Sequence, residues 1–296
     1  MPFLGEIAAL VTAVLWSATA ICFSEASQRV GPFYVNVTRM VIAIGYLLIT
    51  FIFIDVRLNL SFHQIINLAI SGFIGLVFGD TFLLKAYRSI GPRLSMLVMA
   101  LVPAMSAFLA FIFFDERISF VGIIGMIITI IGIAIVVLKR EEVPASKYKI
   151  EYSGIFFAVL GAAGQAGGLI FAKFALNEGH VNSFLVTFVR LLSAVIIIYP
   201  LAAMTNRYKN PVNVFRKDKS ALIFTSVGAF IGPFLGITFS IVSITYAKIG
   251  IASTLMATVP IIMLPMVRYY YKEKLSFISI TGAVVAVAGV SLLFLS

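Results

Sequence analysis

The chain carries a copy of its own middle near its end. Glu116-Arg117-Ile118-Ser119-Phe120 returns as Glu273-Lys274-Leu275-Ser276-Phe277, 157 positions on. Met99-Ala100-Leu101-Val102-Pro103 returns as Met256-Ala257-Thr258-Val259-Pro260 at the same offset. Gly75, Gly79, Thr81 and Phe82 answer to Gly232, Gly236, Thr238 and Phe239, and Gly125 and Gly132 to Gly282 and Gly289. A register held over so many segments means a duplicated unit, so each half must be able to build the same elements.

The solvent for those elements follows from composition. Hydrophobic residues make up 61% of the chain and charged residues 11%, with a mean hydropathy of +1.09. Soluble domains average about 45–50% apolar and about 25% charged, so the expectation is an integral membrane protein. The net charge of +10 does not point to nucleic acid, because the basic residues form short clusters between apolar runs and no continuous basic face is available to track phosphates. Cys22 is the one cysteine, which excludes an intrachain disulfide or a multi-cysteine metal site. No cofactor or metal is expected. Ala18-Thr19-Ala20 has the look of a signal-peptide cleavage site, but Glu6 stands where a positive residue should, so the first apolar run reads as a retained helix.

A spanning helix needs about 20 mostly apolar residues. Ten runs qualify, at roughly 5–27, 33–54, 64–88, 93–114, 119–138, 152–176, 182–204, 219–246, 250–271 and 276–295. Their length and lack of polar alternation exclude barrel strands. The expected fold is an all-α membrane protein of ten transmembrane helices arranged as two inverted five-helix repeats. The first repeat occupies 1–140, a polar linker 141–151 and the second repeat 152–296. The inversion follows from counting: five spans per half turn the second half over relative to the first. Loops after the odd-numbered spans carry sixteen Lys and Arg, against four (Arg57, Arg117, Lys173 and Lys248) on the opposite face. The positive-inside rule then puts both termini outside the cytoplasm, in a bacterial or archaeal inner membrane.

The doubled Glu-Arg/Lys-aliphatic-Ser turn, the Pro upstream of each copy, and Arg39 and Arg190 near the starts of the second and seventh spans resemble the EamA-type transporters of the drug/metabolite transporter superfamily. The resemblance covers nearly the whole chain. It implies a ten-helix carrier of small metabolites, often an exporter, and it implies cytoplasmic termini, which the charge count contradicts. The small multidrug branch places a Glu mid-membrane in its first helix; here that depth holds Trp16 and Ser17. That departure argues against a proton-coupled exporter of that kind.

Shared and unshared residues divide the candidates. Pro103 and Pro260, near the middle of the fourth and ninth spans, must bend their helices and read either as paired hinges for alternating access or as static bends. The small residues Ser71, Gly75 and Gly79, with Gly228, Gly232 and Gly236, recur every four positions and read as close helix packing, as do Gly164 and Gly168. Glu116 and Glu273 precede helix starts, where a carboxylate favours the helix dipole and can cap amides. Arg39 and Arg190 lie about two turns inside their helices, at a depth where an unpaired charge is costly. Each is expected to pair with a carboxylate, to snorkel, or to bind an anionic group; Glu25 is the expected partner of Arg39.

Two positions break the repeat at mid-depth. Asp80 faces Ile237 across the alignment, and Trp16 pairs approximately with Gln165. An intramembrane carboxylate is a functional candidate by default: Asp80 could hold an ammonium group, carry a proton, or serve as a hydrogen-bonded structural group. Trp16 and Gln165, with Phe78, Phe82, Met96, Met99 and Tyr246, are candidates to line a central cavity, or to pack.

The functional expectation is a secondary carrier for a small, amphipathic metabolite such as an amino acid, working as a monomer in the bilayer and coupled to a proton or a counter-substrate. A channel-like facilitator or a non-transporting scaffold is the alternative. No Walker motif supports ATP coupling. An intramembrane aspartyl protease needs two carboxylates sharing a proton, and Asp80 has no second mid-membrane Asp; an enzyme is not expected.

Overall fold

A computed structural model describes residues 3–54, 56, 59–138, 151–179, 181–204, 210–247 and 249–295. The polar linker, apart from Glu151, and the loop cations Arg57 and Lys248 lie outside the described residues. Every regular element among the described residues is helical, as lipid demands of backbone that has no water to bond. The first half holds α1 (Leu4–Val30), α2 (Pro32–Phe53), α3 (Phe62–Gly72), a π-helical stretch π1 (Phe73–Gly79), α4 (Asp80–Met99), α5 (Leu101–Phe114) and α6 (Phe120–Leu138). The second holds α7 (Tyr152–Asn177), α8 (Ser183–Met204), α9 (Pro211–Lys217), α10 (Lys219–Ala229), π2 (Phe230–Gly236), α11 (Ile237–Tyr246), α12 (Ile249–Met256), α13 (Val259–Tyr271) and α14 (Phe277–Leu295).

Nine helical stretches among the described residues are long and apolar enough to cross a membrane. One of them, Phe62–Met99, is 38 residues long. At about 1.5 Å per residue it would reach roughly 57 Å if straight, far beyond a core of about 30 Å. It is not straight: Gly91 sits at φ 77, ψ 169 ahead of Pro92 and breaks the α-helical path. The run expected at 93–114 is therefore split between the end of this helix and α5, a shorter apolar helix.

The repeat reaches the level of backbone conformation. Both π-helical stretches fall at the same place in the 157-residue register, as do α6 and α14. Asp115 ends α5 at φ 52, and Lys272 ends α13 at φ 55, two non-glycine residues held in the left-handed region that closes helices. The prolines act where they should. Pro103 clashes with the turn before it, and the helix breaks at Ala100, between α4 and α5. Pro260 does the same at Ala257 and Thr258, between α12 and α13.

The caps differ from expectation. Ser119 Oγ accepts from the Gly122 amide at 2.9 Å, and Ser276 Oγ accepts from the Ser279 amide at 3.1 Å. The serines cap α6 and α14, and the carboxylates are used elsewhere. Glu116 forms an ion pair with Lys173 of α7, and Glu273 one with Arg93 of α4 at 3.2 Å. Each repeated turn is thus tied to a helix of the opposite half.

Packing also runs across the halves. α6 lies against α14, α3 and π1 against α7, and α10 and π2 against α1. Between α6 and α14 the backbones nearly touch: a Cβ on Gly125 would sit 2.5 Å from the Gly289 carbonyl oxygen. Thr129 fastens the same contact, donating to the carbonyls of Gly125 at 2.9 Å and Ala286 at 3.3 Å. Large apolar side chains such as Phe111, Ile127, Ile131 and Val284 are about half exposed. An outer surface of this kind suits hydrocarbon and would be a liability in water.

Candidate functional site

A network of polar and charged side chains forms where π1 meets α2, α7 and α8. A π-helical stretch shifts the hydrogen-bond ladder by one residue. Side chains of neighbouring helices donate to its carbonyls. Asn36 Nδ2 donates to the Leu76 carbonyl at 2.9 Å, and Gln165 Nε2 donates to the Gly75 carbonyl at 3.3 Å. Both donors continue into a network. Asn36 Nδ2 also donates to Thr81 Oγ1 at 2.9 Å, and its Oδ1 accepts from Arg39 Nε at 3.0 Å. Arg39 Nη2 forms an ion pair with Asp80 Oδ2, and Gln165 Nε2 donates to Asp80 Oδ1.

Asp80 is thus held from two sides, by α2 and by α7, and is 7% exposed, as is Arg39, while Asn36 is fully buried. The Arg39 guanidinium also stacks over the Phe23 ring, 5.4 Å from its centroid. The carboxylate on Arg39 is Asp80, not the expected Glu25. The reason is geometric: π1 delivers Asp80 beside α2, a placement that sequence distance cannot reveal. Glu25 is itself buried, at 7% exposure, near the end of α1. An ammonium ligand at Asp80 would have to displace Arg39 or Gln165.

Arg190 of α8 reaches the same place from the other side. Its backbone packs on Gly72, and its Nη2 lies 3.0 Å from where a Gly75 side chain would begin, so a side chain at position 75 would press on the guanidinium. Its Nε is enclosed and has no hydrogen-bond partner among the described residues. The Asp80 charge is close enough to act on it. The cluster therefore holds two guanidinium groups against one carboxylate.

Glycines make the cluster possible. A Cβ on Gly164 would lie 2.5 Å from the Gly79 Cα, and one on Gly168 would lie 2.8 Å from the Gly75 Cα. Backbone meets backbone along this seam, and Ser71 Oγ adds a bond to the Gly168 carbonyl. That closeness brings Gln165 within reach of Asp80.

The other predicted residues are dispersed. Trp16 of α1 lays its indole edge on Gly236 of π2, with Nε1 2.6 Å from a would-be Cβ. Phe78 and Phe82 stack edge to face with centroids 4.8 Å apart, and the Lys85 ammonium sits 4.8 Å above the Phe82 ring. Met96 accepts from the Tyr87 hydroxyl at 3.1 Å, and Met99 is half-buried at the end of α4. Tyr246, expected to line a cavity, is 65% exposed, at the last residue of α11 and beside Gly5 in the first turn of α1. Asn36 was not singled out from the sequence; an Asn three positions before an intramembrane Arg was the available signal.

A separate cavity of about 510 Å³ follows α5 from the Glu116 turn down to Pro103, with Ser106, Leu169 and Lys173 among its walls. The Glu116–Lys173 ion pair stands in it. No group of three or more metal-ligating side chains occurs among the described residues.

Comparison with known proteins agrees with this architecture. A family model described as the EamA-like transporter family matches residues 3–138 and again 152–295. An uncharacterized transporter of Archaeoglobus fulgidus is 22% identical over 287 residues, covering 97% of this chain and 96% of its own length. A solved crystal structure that is 15% identical covers 97% of each chain with a TM-score of 0.66, which places the two in one fold. This multi-pass integral membrane protein belongs to the EamA-like transporter family.

Proposed function

We propose that the chain is a secondary carrier that moves a small amphipathic metabolite by alternating access, with its binding site at the Arg39–Asp80–Gln165–Arg190 cluster. The observation that carries this reading is the cluster itself. Charged groups inside lipid cost roughly 2.5–3.5 kcal/mol each on insertion scales and are kept where they line a substrate pathway or serve one another. Here they sit on helices of both halves, where duplicated carriers bind their substrates.

The arrangement behind it is ten spans in two inverted five-helix repeats, in domains 1–140 and 152–296. Phe62–Met99 supplies the third span and, beyond Gly91, the start of the fourth. Support comes from the exchange of partners across the halves: π1 packs on α7, and its repeat π2 packs on α1. Pro103 and Pro260 stand at breaks where α4 gives way to α5 and α12 to α13, the places at which such helices would flex. The cavity beside Pro103 is the access route on one face, and the Glu116–Lys173 pair is a latch on it. The charge count supports termini outside the cytoplasm of a bacterial or archaeal cell, and the resemblance supports export, with a proton or counter-substrate as the coupled species and the monomer as the working unit.

Counterflow in proteoliposomes tests the function. Liposomes preloaded with unlabelled metabolite should concentrate labelled metabolite transiently and saturably if the chain is a carrier. Flux that never saturates would identify a channel, and no flux across a broad metabolite panel would leave a scaffold. Reporter fusions at both termini test the orientation; cytoplasmic signals from both would reverse it.

A further inference from the structure

We propose that the transported metabolite carries a carboxylate and that this carboxylate docks on Arg190. The inference rests on the carrier reading above and names the substrate class for the same site. It starts from the repeat. Arg39 and Arg190 correspond to one another in the two halves, but the carboxylate available to them does not repeat, because Asp80 corresponds to Ile237. One arginine of the pair has lost its counter-ion, or never had one.

The geometry says which. Both oxygens of Asp80 are engaged, Oδ2 by Arg39 and Oδ1 by Gln165. Arg39 is further held by Asn36 and by the Phe23 ring. Arg190 makes no hydrogen bond or ion pair among the described residues, and its Nε is enclosed without a partner. Its Nη2 lies against Gly75, which has no side chain to pair with it, and Asp80 acts on it only through space. The residue as a whole is half-buried, while its Nε is fully enclosed. A planar guanidinium with free donors inside a membrane is matched by a planar anion that accepts two parallel hydrogen bonds. A carboxylate does this and also balances the cluster, which otherwise holds two positive charges against one negative. A cationic substrate would face two arginines and find Asp80 already occupied.

Three probes share one branched apolar body and differ only in their polar end: L-leucine has a carboxylate and an ammonium, 4-methylpentanoate only the carboxylate, 3-methylbutylamine only the ammonium. The purified full-length chain is heated with each. Leucine and 4-methylpentanoate should raise the melting temperature, and the amine should not. Arg190→Gln should abolish the shift, and Arg190→Lys, which keeps the charge but not the fork, should keep part of it. A shift from the amine alone, an undiminished carboxylate shift in Arg190→Gln, or no shift from any probe would overturn the proposal. If Arg190→Gln does not fold, the wild-type comparison of the three probes and the Arg190→Lys variant still decide.

Counterflow of labelled leucine separates this inference from the carrier reading. Wild-type accumulation that falls about tenfold in Arg190→Gln, as expected when the one group matched to the carboxylate is removed, supports both. Accumulation that Arg190→Gln matches overturns the inference and leaves the carrier. A carboxylate-dependent shift without accumulation overturns the carrier and leaves the binding site.

Discussion

The same glycine-lined π-helix is packed in two different ways. Against α7, Gly75 and Gly79 of π1 meet Gly168 and Gly164, so backbone lies on backbone. Against α1, Gly232 and Gly236 of π2 meet the side chains of Thr19 and Trp16, while Gly228 of α10 meets Phe23. The first seam is narrow and brings Gln165 to Asp80. The second is filled by an indole, and Ile237 stands where Asp80 would be. Duplication supplied two equivalent seams. One was left to apolar packing, and the other was freed to hold polar groups within the membrane. Glycine is what makes the difference affordable, since a seam without side chains leaves the neighbouring positions room to choose their own contacts.

The largest effect should come from converting the polar seam into a copy of the apolar one. Asp80→Ile removes the counter-ion of a buried Arg39, and breaking a buried pair from one side costs about 3–5 kcal/mol. Denaturant unfolding in mixed micelles should show a loss of that size, and Arg39→Leu in the same chain should restore part of it. An Asp80→Ile protein as stable as wild type would mean that Arg39 never depended on Asp80.

Next are the glycines. Gly164→Ala places a methyl 2.5 Å from the Gly79 Cα, whereas Gly236→Ala places one 2.6 Å from Trp16 Nε1. Backbone cannot step aside and an indole can, so Gly164→Ala should cost about 1–3 kcal/mol, as overpacked sites do, and Gly236→Ala less. Comparing the melting temperatures of the two variants checks the order, and equal losses would erase the distinction between the seams.

The smallest contrast lies in the repeated turns. The Glu273 side chain is 4% exposed beside Arg93, and the Glu116 side chain is 50% exposed beside Lys173. Glu116→Gln should change stability by about 0–1 kcal/mol, the usual range for a solvated pair. Glu273→Gln should cost about 1–3 kcal/mol, because it leaves a buried charged donor poorly matched. Unfolding of the two variants in parallel reads the difference.

Much of this was legible in the chain because duplication is a sequence property. The offset of 157 matched α6 to α14, and the two π-helical stretches and the left-handed helix ends at Asp115 and Lys272 keep that register in the structure. The breaks in the repeat were legible too, and Asp80 and Gln165 proved to be bonded to one another, with Trp16 lying against π2 in the opposite seam. What stayed hidden is what depends on chain crossing. Nothing local says that Arg39 meets Asp80, 41 positions on, rather than Glu25, or that the turn carboxylates reach for α7 and α4. The π-helical backbone was hidden as well, because a one-residue shift in the hydrogen-bond ladder leaves the apolar pattern of a lipid-buried helix unchanged.

The central claim is that substrate handling belongs to the seam where the halves differ. Counterflow in proteoliposomes by Asp80→Asn and Ile237→Val, each shown to be monodisperse and folded, tests it most directly. Asp80→Asn should lower the initial rate about tenfold or more, as loss of a buried charge partner in the site implies, while Ile237→Val should stay near wild type. Wild-type rates in Asp80→Asn, or an equal loss in Ile237→Val, would contradict it.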